Sequence, residues 1–407
     1  MNPPSEPLTT FFDADNHYWE SSDAFTRYRS PAFADRGVVV KQLDGRWRYV
    51  VHGEPHPWVP GPGDLNPRPR PGALFDYFSG RGTKTDVADM LTCEDPADHP
   101  EWFGRDARLE VMDRQGLDGV WMFPSQGVCM EGPMQPDIEA AIDIFGGFNR
   151  WLDDEWGYAY RDRIFGVPYL ILSDLDAAVG ELERVIERGA RVVAVRPGPV
   201  FTTDGLRSPA DPRFDPFWAR AAEAELVVTA HAGFDDGYRD VEDAVARAWG
   251  YPSRRRHGAV SSLAFYEPFV DAVMHHRLIH DFVAALVAHG LFQRHPRLRV
   301  ASIENGATWI PELLRVLRRL HTQNRGLFDQ DPIEQLHEHV WISPFVEDDV
   351  PELARYIPVE RILFGSDWPH AEGVPEPRDF LTKVAGLPPG DQRRIMGDNA
   401  RALMRPS

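Results

Sequence analysis

The sequence predicts an α/β chain folded as a (β/α)8 barrel, and three observations carry that expectation. Short apolar runs alternate with helical patterns along the chain, and eight of the runs read as strands. Several are continuous rather than alternating, such as Val192-Val193-Ala194-Val195, as parallel strands buried on both faces require. The first and last runs both stop on residues able to bind a metal: Asp13-Ala14-Asp15-Asn16-His17 and Phe364-Gly365-Ser366-Asp367-Trp368-Pro369-His370. Barrels deliver functional groups from the C-terminal ends of strands early and late in the chain. An open doubly wound sheet would carry a glycine-rich phosphate loop after its first strand, and this sequence has none.

The eight expected strands are Phe11–His17, Asp118–Pro124, Ile164–Leu172, Arg191–Pro197, Leu226–His231, Leu298–Asn305, His339–Pro344 and Arg361–Asp367. Helical patterns fall between them at Ala107–Gln115, Pro136–Trp156, Asp176–Arg188, Pro216–Glu225, Ile279–Arg294 and Pro311–His321. Ser173-Asp174 supplies an N-cap before the third helix. Two intervals exceed ordinary barrel loops, about 20–105 after the first strand and 232–276 after the fifth. The first is rich in Pro and Gly, including Pro60-Gly61-Pro62-Gly63. The second carries Tyr238, Trp249, Tyr251, Phe265, Tyr266 and Phe269. Long loops without secondary structure in compact domains are commonly lids, so both are expected to roof an apolar pocket above the strand ends. Residues 1–407 are expected to form one domain.

Composition narrows the function classes. A hydrophobic content of 43% with 26% charged residues fits a globular protein with a sizeable core. No run reaches the roughly 18 apolar residues that a membrane helix needs. The first six residues lack the basic and apolar regions of a signal peptide, so a cytoplasmic protein is expected. The two cysteines, Cys93 and Cys129, provide neither a disulfide framework nor a Cys-x-x-Cys zinc pattern. A net charge of −19 argues against nucleic-acid binding, which needs a basic face to displace counterions. The local basic cluster Arg254-Arg255-Arg256-His257 reads as a solvated loop, or as a contact for an anionic group.

The chemistry-bearing residues gather at strand ends. Asp15 and His17 lie two positions apart and so share one side of the first strand. The fifth strand ends in His231, the sixth in Glu304-Asn305-Gly306 and the eighth in Ser366-Asp367. Singly, each would be read as a cap or a hydrogen-bond partner. Converging at one rim, two imidazoles and three carboxylates call for a cation to balance them. Asp15, His17, His231, Glu304 and Asp367 are therefore the candidate metal ligands, with Asp367 and Glu304 as candidate acid/base groups. Around them, Arg196 at the end of the fourth strand is a candidate for a substrate carboxylate or the acidic shell. Asn305, Ser343 and His370 are candidates for lining the site. His289, in an apolar helix, reads as a core histidine or as a support to the ligands. His276 and His280, four residues apart without an intervening metal-site Glu, read as structural or pocket-lining.

These residues resemble the amidohydrolase superfamily, in its amidohydrolase-related branch that includes aminocarboxymuconate-semialdehyde decarboxylase. The likeness covers most of the chain and is strongest at Asp13–His17, Thr229–Gly233, His295–Pro311 and Phe364–His370. It implies a TIM barrel with metal ligands at the strand-one pair, Asp15 and His17, at His231 and at Asp367. It also implies that the strand-eight Asp serves as general base toward metal-activated water. Asp15 stands where the family usually has His, and Glu304 where many members have a strand-six His. The fourth strand offers no Lys for a carbamylated bridge. More carboxylate and less imidazole favours iron or manganese over zinc, as one or two divalent ions. The leading expectation is hydrolysis, or non-oxidative C–C cleavage, of a hydrophobic small molecule. The alternatives are a non-heme diiron monooxygenase acting on a small-molecule or acyl-thioester substrate with an electron-transfer partner, and a non-catalytic ligand-binding barrel. Homodimerisation is left open.

Overall fold

The computed structural model describes residues 11–56, 59, 61–80, 90–233, 239–250, 268–274 and 276–405. The fold is mixed α/β. Seven of the expected strands form: β1 (Phe11–Tyr18), β2 (Leu117–Pro124), β3 (Ile164–Gly166), β4 (Val192–Val195), β5 (Val227–His231), β6 (Arg299–Ile303) and β7 (Val340–Ile342). They pair in parallel as β1-β2-β3 and as β4-β5-β6-β7. Every residue of β1 and β5 is buried, as their apolar runs require.

Two seams join these groups. On one side the chain beyond β3 bridges to β4, with Leu170 N–H donating to Ala194 O at 2.8 Å and Ala194 N–H to Pro168 O at 2.9 Å. On the other, the run 362–368 lies between β7 and β1. Leu363 N–H donates to Ile342 O, Ala14 N–H to Phe364 O, Asp367 N–H to Asp15 O and His17 N–H to Trp368 O, each at 2.8 Å. The expected eighth strand is thus not a regular ladder. Val359–Arg361 is a 3-10 turn, and the run beyond it is held by isolated bridges. Asp367, at φ +56°, has left the extended region altogether. With this segment included, the pairings return to β1 in a closed path.

Six helices match the sequence pattern closely: α1 (Arg105–Gln115), α2 (Ile138–Glu155), α3 (Leu175–Glu187), α4 (Asp215–Glu223), α5 (Arg277–Ala288) and α6 (Ile310–Gln323); α7 (Pro332–His339) was not expected. Asp174 caps α3 by accepting from Ala177 N–H at 2.9 Å. The expected fifth helix ends early. Gly290, at φ +70°, stops α5 and starts the separate turn Leu291–Arg294. The start of the expected seventh strand is helical in fact, since α7 runs through His339.

The first long interval is not structureless. Val38–Leu43, Arg46–Val51 and Glu54–Pro55 form an antiparallel sheet. Its two turns fall on Asp44-Gly45 and His52-Gly53, all four residues at positive φ, the conformation that two-residue hairpins need. The interval clasps the strand ends. Gly63 N–H donates to Glu20 O at 2.8 Å, Gly72 N–H to His370 O at 2.9 Å and Leu74 N–H to Ala371 O at 2.7 Å. Within the second interval, helices Arg239–Ala248 and Pro268–Met274 are described. Trp249 is 69% exposed there, against the expectation of an inward-facing aromatic. Tyr238, Tyr251, Phe265, Tyr266 and the cluster 254–257 lie outside the described residues. Cys93 and Cys129 are not joined in a disulfide, and among the described residues no helix is long and apolar enough to cross a membrane.

Two stability predictions follow from this clasped rim. At Gly365, a Cβ would overlap both Ser343 Oγ and Asp15 Cβ. Gly365→Ala should therefore destabilise the protein by about 1–3 kcal/mol, whereas Gly180→Ala, in α3 with open space around it, should stabilise it by up to about 1 kcal/mol. Urea unfolding of the two variants checks the contrast, and equal effects would contradict the close approach. The second concerns Glu20, whose Oε1 accepts from the amides of Gln126 at 2.8 Å and Gly127 at 2.7 Å. Burial pushes its carboxyl up to about 7. The folded protein then keeps a proton that the unfolded chain releases near 4.5. That contribution is complete below pH 4.5 and is lost as pH rises to about 7, amounting to about 3 kcal/mol at most. Glu20→Gln should flatten the pH dependence of unfolding across this window, and superimposable profiles would rule the assignment out.

Candidate metal centre

β1 delivers the first two candidate ligands. Asp15 and His17 are 3% and 0% exposed, with His17 Nε2 3.1 Å from Asp15 Oδ1. β5 adds His231, whose Nε2 lies 3.3 Å from Asp15 Oδ1 and 3.4 Å from Glu304 Oε2. Glu304 follows β6 immediately, at φ +54°, and its Oε2 is 3.8 Å from His17 Nε2. Asp367 Oδ1 is 3.3 Å from the same nitrogen. All five sequence-predicted ligands meet at one rim. Their ligand atoms, with that of His370, fall into two sets whose members lie within 4.8 Å of one another. One set is Asp15, His17, His231 and Glu304, and the other is His17, Glu304, Asp367 and His370.

Hydrogen bonding fixes which nitrogen of His231 faces this cluster. Nδ1 is 2.6 Å from Ala232 O, and a carbonyl only accepts, so Nδ1 carries a hydrogen and Nε2 is the nitrogen turned toward Asp15 and Glu304. Burial, together with neighbouring His370, holds His17 down to about 3, so that ring is neutral. Burial alone would raise Asp15, but its bonds to His17 and His231 outweigh this and hold the carboxyl well below the usual range. Glu304 is pushed the other way by burial and by Asp367 and Asp15. Asp367 is also raised, by burial and by Glu372 and Asp15. Acceptor atoms 3–4 Å apart that face one another need a proton or a cation between them. A hard or borderline divalent cation suits this set of carboxylate oxygens and imidazole nitrogens.

The remaining candidates separate. His370 belongs to the cluster, with Nδ1 2.5 Å from Asp367 Oδ1 and Nε2 2.8 Å from Ser125 Oγ. Ser343 is buried at the mouth, where Gly365 separates it from Asp15. Asn305 donates to Ala230 O at 2.9 Å and Ile303 O at 2.7 Å, so it ties β5 to β6 rather than reaching across the site. Arg196 is turned away. Its guanidinium donates to Pro199 O, packs 4.0 Å from the Phe201 ring centre, and lines a small cavity with Glu131, Leu170, Trp218 and Phe282. His289 is exposed and bonds Ser208 Oγ at 2.8 Å. It caps the end of α5 that leads into the N-terminal start of β6, opposite the ligand-bearing rim. His276 caps the start of α5 with its ring 5.8 Å from Phe345.

Four residues that support the site were not singled out from the sequence. Asp13 accepts from Asp15 N at 3.1 Å, Asn16 Nδ2 at 2.9 Å, and Ser366 N and Oγ at 2.9 and 2.5 Å. Its parity with Asp15 and His17 was a usable signal. Arg108 is fully buried, donates to Asn16 Oδ1 at 2.5 Å and His17 O at 2.8 Å, and stacks on Trp368. Nothing in the α1 sequence marks it. Ser125 and Glu20 act through contacts between distant segments.

The amidohydrolase family profile matches residues 12–405. An amidohydrolase from Mycobacterium avium subsp. paratuberculosis K-10 is 39% identical over 98% of this chain and 99% of its own, with a TM-score of 0.90. A 2,6-dihydroxybenzoate decarboxylase from Rhizobium shares the fold at 23% identity, covering 74% of this chain and 88% of its own, with a TM-score of 0.55. A dihydroxybenzoic acid decarboxylase from Polaromonas sp. JS666, solved with manganese and 2-nitroresorcinol, does so at 17% identity, covering 82% and 93%, with a TM-score of 0.53. A comparison with curated proteins finds no match. With the profile spanning nearly every residue from β1 to the C-terminal helix, this chain belongs to the amidohydrolase family.

Proposed function

We propose that the protein is a divalent-metal-dependent enzyme that hydrolyses a small molecule or cleaves a C–C bond in it without oxidation. The observation that carries this reading is His231 Nε2, turned by the Nδ1 bond to the Ala232 carbonyl onto two carboxylate oxygens. Asp15, His17, His231 and Asp367 would hold the cation, with Glu304 as a further ligand or as an acid/base group. A cation bound there supplies a Lewis acid and lowers the pKa of water. Manganese or iron suits the carboxylate-rich set better than zinc, and the Polaromonas decarboxylase was solved with manganese. In the same reading, the closed path of parallel segments is a (β/α)8 barrel forming one domain, with the two long intervals as its lids.

The proton work falls to Asp367, which lies beside both His17 and His370. For hydrolysis, Asp367 Oδ1 takes a proton from attacking water and returns it to the leaving group. For decarboxylation, the electron pair of the broken C–C bond stays on the substrate carbon, and a proton held at Asp367 is delivered there. Phe123, 4.5 Å from the His231 ring, and Trp19, 5.3 Å from His370, pack apolar surface against the ligand histidines. The related folds of two dihydroxybenzoate decarboxylases support aromatic carboxylates as the first substrates to try.

Manganese-loaded protein should release CO2 from a dihydroxybenzoate, or product from an ester or lactone panel, under anaerobic conditions. A chelator should abolish turnover and added manganese restore it. Asp367→Asn should lower kcat by about 10²–10⁴-fold with the protein still folded. Substrate-dependent oxygen uptake with two irons per chain would instead establish the oxygenase alternative, and an undiminished Asp367→Asn variant would remove Asp367 from the mechanism.

A further inference from the structure

We propose that the rim holds two cations rather than one, the second bound by His370 Nδ1, Asp367 and Glu304. This rests on the metal-centre reading above, but moves Asp367 from the first ion to the second and adds a residue outside the family-like ligand set. The donor atoms do not form one cluster but two, sharing His17 and Glu304. An imidazole nitrogen has a single lone pair, so His17 Nε2 can serve only one ion. That ion already has Asp15 and His231, with Asp15 Oδ1 3.1 Å from His17 Nε2 and 3.3 Å from His231 Nε2. Asp367 and His370 remain for a second. A carboxylate has two oxygens and several lone pairs, so Glu304, common to both sets, can bridge.

The orientation of His370 makes its second nitrogen a ligand. Ser125 Oγ has one hydrogen, and it lies 2.7 Å from Tyr18 O, a backbone carbonyl that can only accept. The serine oxygen must therefore accept from His370 Nε2 at 2.8 Å. In the neutral ring, this leaves the Nδ1 lone pair aimed at Asp367 Oδ1 only 2.5 Å away, a contact that either a shared proton or a cation has to fill. A cation drawn between them, with the pair opening to admit it, satisfies both. The His370 and His17 rings lie beside one another, centres 4.1 Å apart and planes 34° apart, so both present nitrogens to the same rim. Ser125 is then a positioning residue for the second ion, fixing the ring from its far side as a metal-bound histidine is fixed.

The test uses manganese alone. Metal-free protein is titrated with Mn2+ by calorimetry, bound metal is counted after gel filtration, and EPR is recorded at one and two equivalents. Two ions per chain are expected, with the isolated six-line spectrum at one equivalent giving way to a spin-coupled signal at two. His370→Ala and His370→Asn should each bind one ion, while unfolding of the metal-free variants stays cooperative. Ser125→Ala should weaken only the second ion, by about 10- to 100-fold, and Ser125→Thr, which keeps the hydroxyl, should restore it. One ion per chain in the unaltered protein, unchanged in the His370 variants, overturns the second site and leaves a shared proton between His370 and Asp367. No manganese bound at all overturns the metal centre itself.

Discussion

Asp13 touches no candidate ligand through its side chain except the backbone amide of Asp15, yet the centre depends on it. Its carboxylate accepts four hydrogen bonds, two from within β1 and two from Ser366 in the last segment. Those bonds cross a seam between residues more than 350 positions apart in sequence. They set Asp15 and Asp367 on adjacent backbones, where Asp367 N–H also donates to Asp15 O. Asp13 is fully buried, and that burial pushes its carboxyl up to about 7 despite these donors. Arg108 holds the same stretch of β1 from its other side, through Asn16 and the His17 carbonyl. A site made from both ends of the chain needs such a clamp, because nothing local keeps its halves in register.

The parts of the fold written in local patterns were legible in the sequence. The buried runs of β1, β2, β4 and β5, the Asp174 cap and the amphipathic helices follow from periodicity and capping. The five ligand candidates were legible for a related reason, since each sits at or just beyond the C-terminal end of an apolar run. What was missed depends on tertiary partners. The hairpin of the first interval had a local signal in Asp44-Gly45, flanked by Val38-Val39-Val40 and Trp47-Arg48-Tyr49, but the surrounding prolines masked it. Arg196 and His289 were misplaced because sequence gives a strand or helix end without giving the direction of a long side chain. Ser125 and Arg108 matter only through contacts made across the closed sheet path, which no spacing rule encodes.

Two of the candidate acids share a backbone feature. Glu304 and Asp367 both adopt left-handed φ values, +54° and +56°, a conformation costing residues with a Cβ about 1–3 kcal/mol each. Each stands at the step where an extended run turns away from the sheet. The turn is held from both sides: Asn305 bonds the last carbonyls of β5 and β6, and Asp367 donates to Asp15 O while accepting from His370 N. The strained backbone swings each carboxylate inward over the strand ends instead of out along the chain. Extended residues at these positions would point their side chains along the alternating strand pattern and break the convergence.

Charge then explains why this rim differs from an imidazole-rich one. Asp15, Glu304 and Asp367 can bring three negative charges to a site where burial holds His17 neutral. Without cations the acids must share protons, and Glu304 and Asp367 are accordingly raised. One divalent ion offsets two of the three charges and leaves a proton shared between Asp367 and His370. Two such ions exceed the three charges by one, and a bound anionic substrate or hydroxide would restore neutrality. The exchange of His for Asp at position 15 and the presence of Glu304 are therefore linked, because each added carboxylate raises the positive charge that the rim can hold.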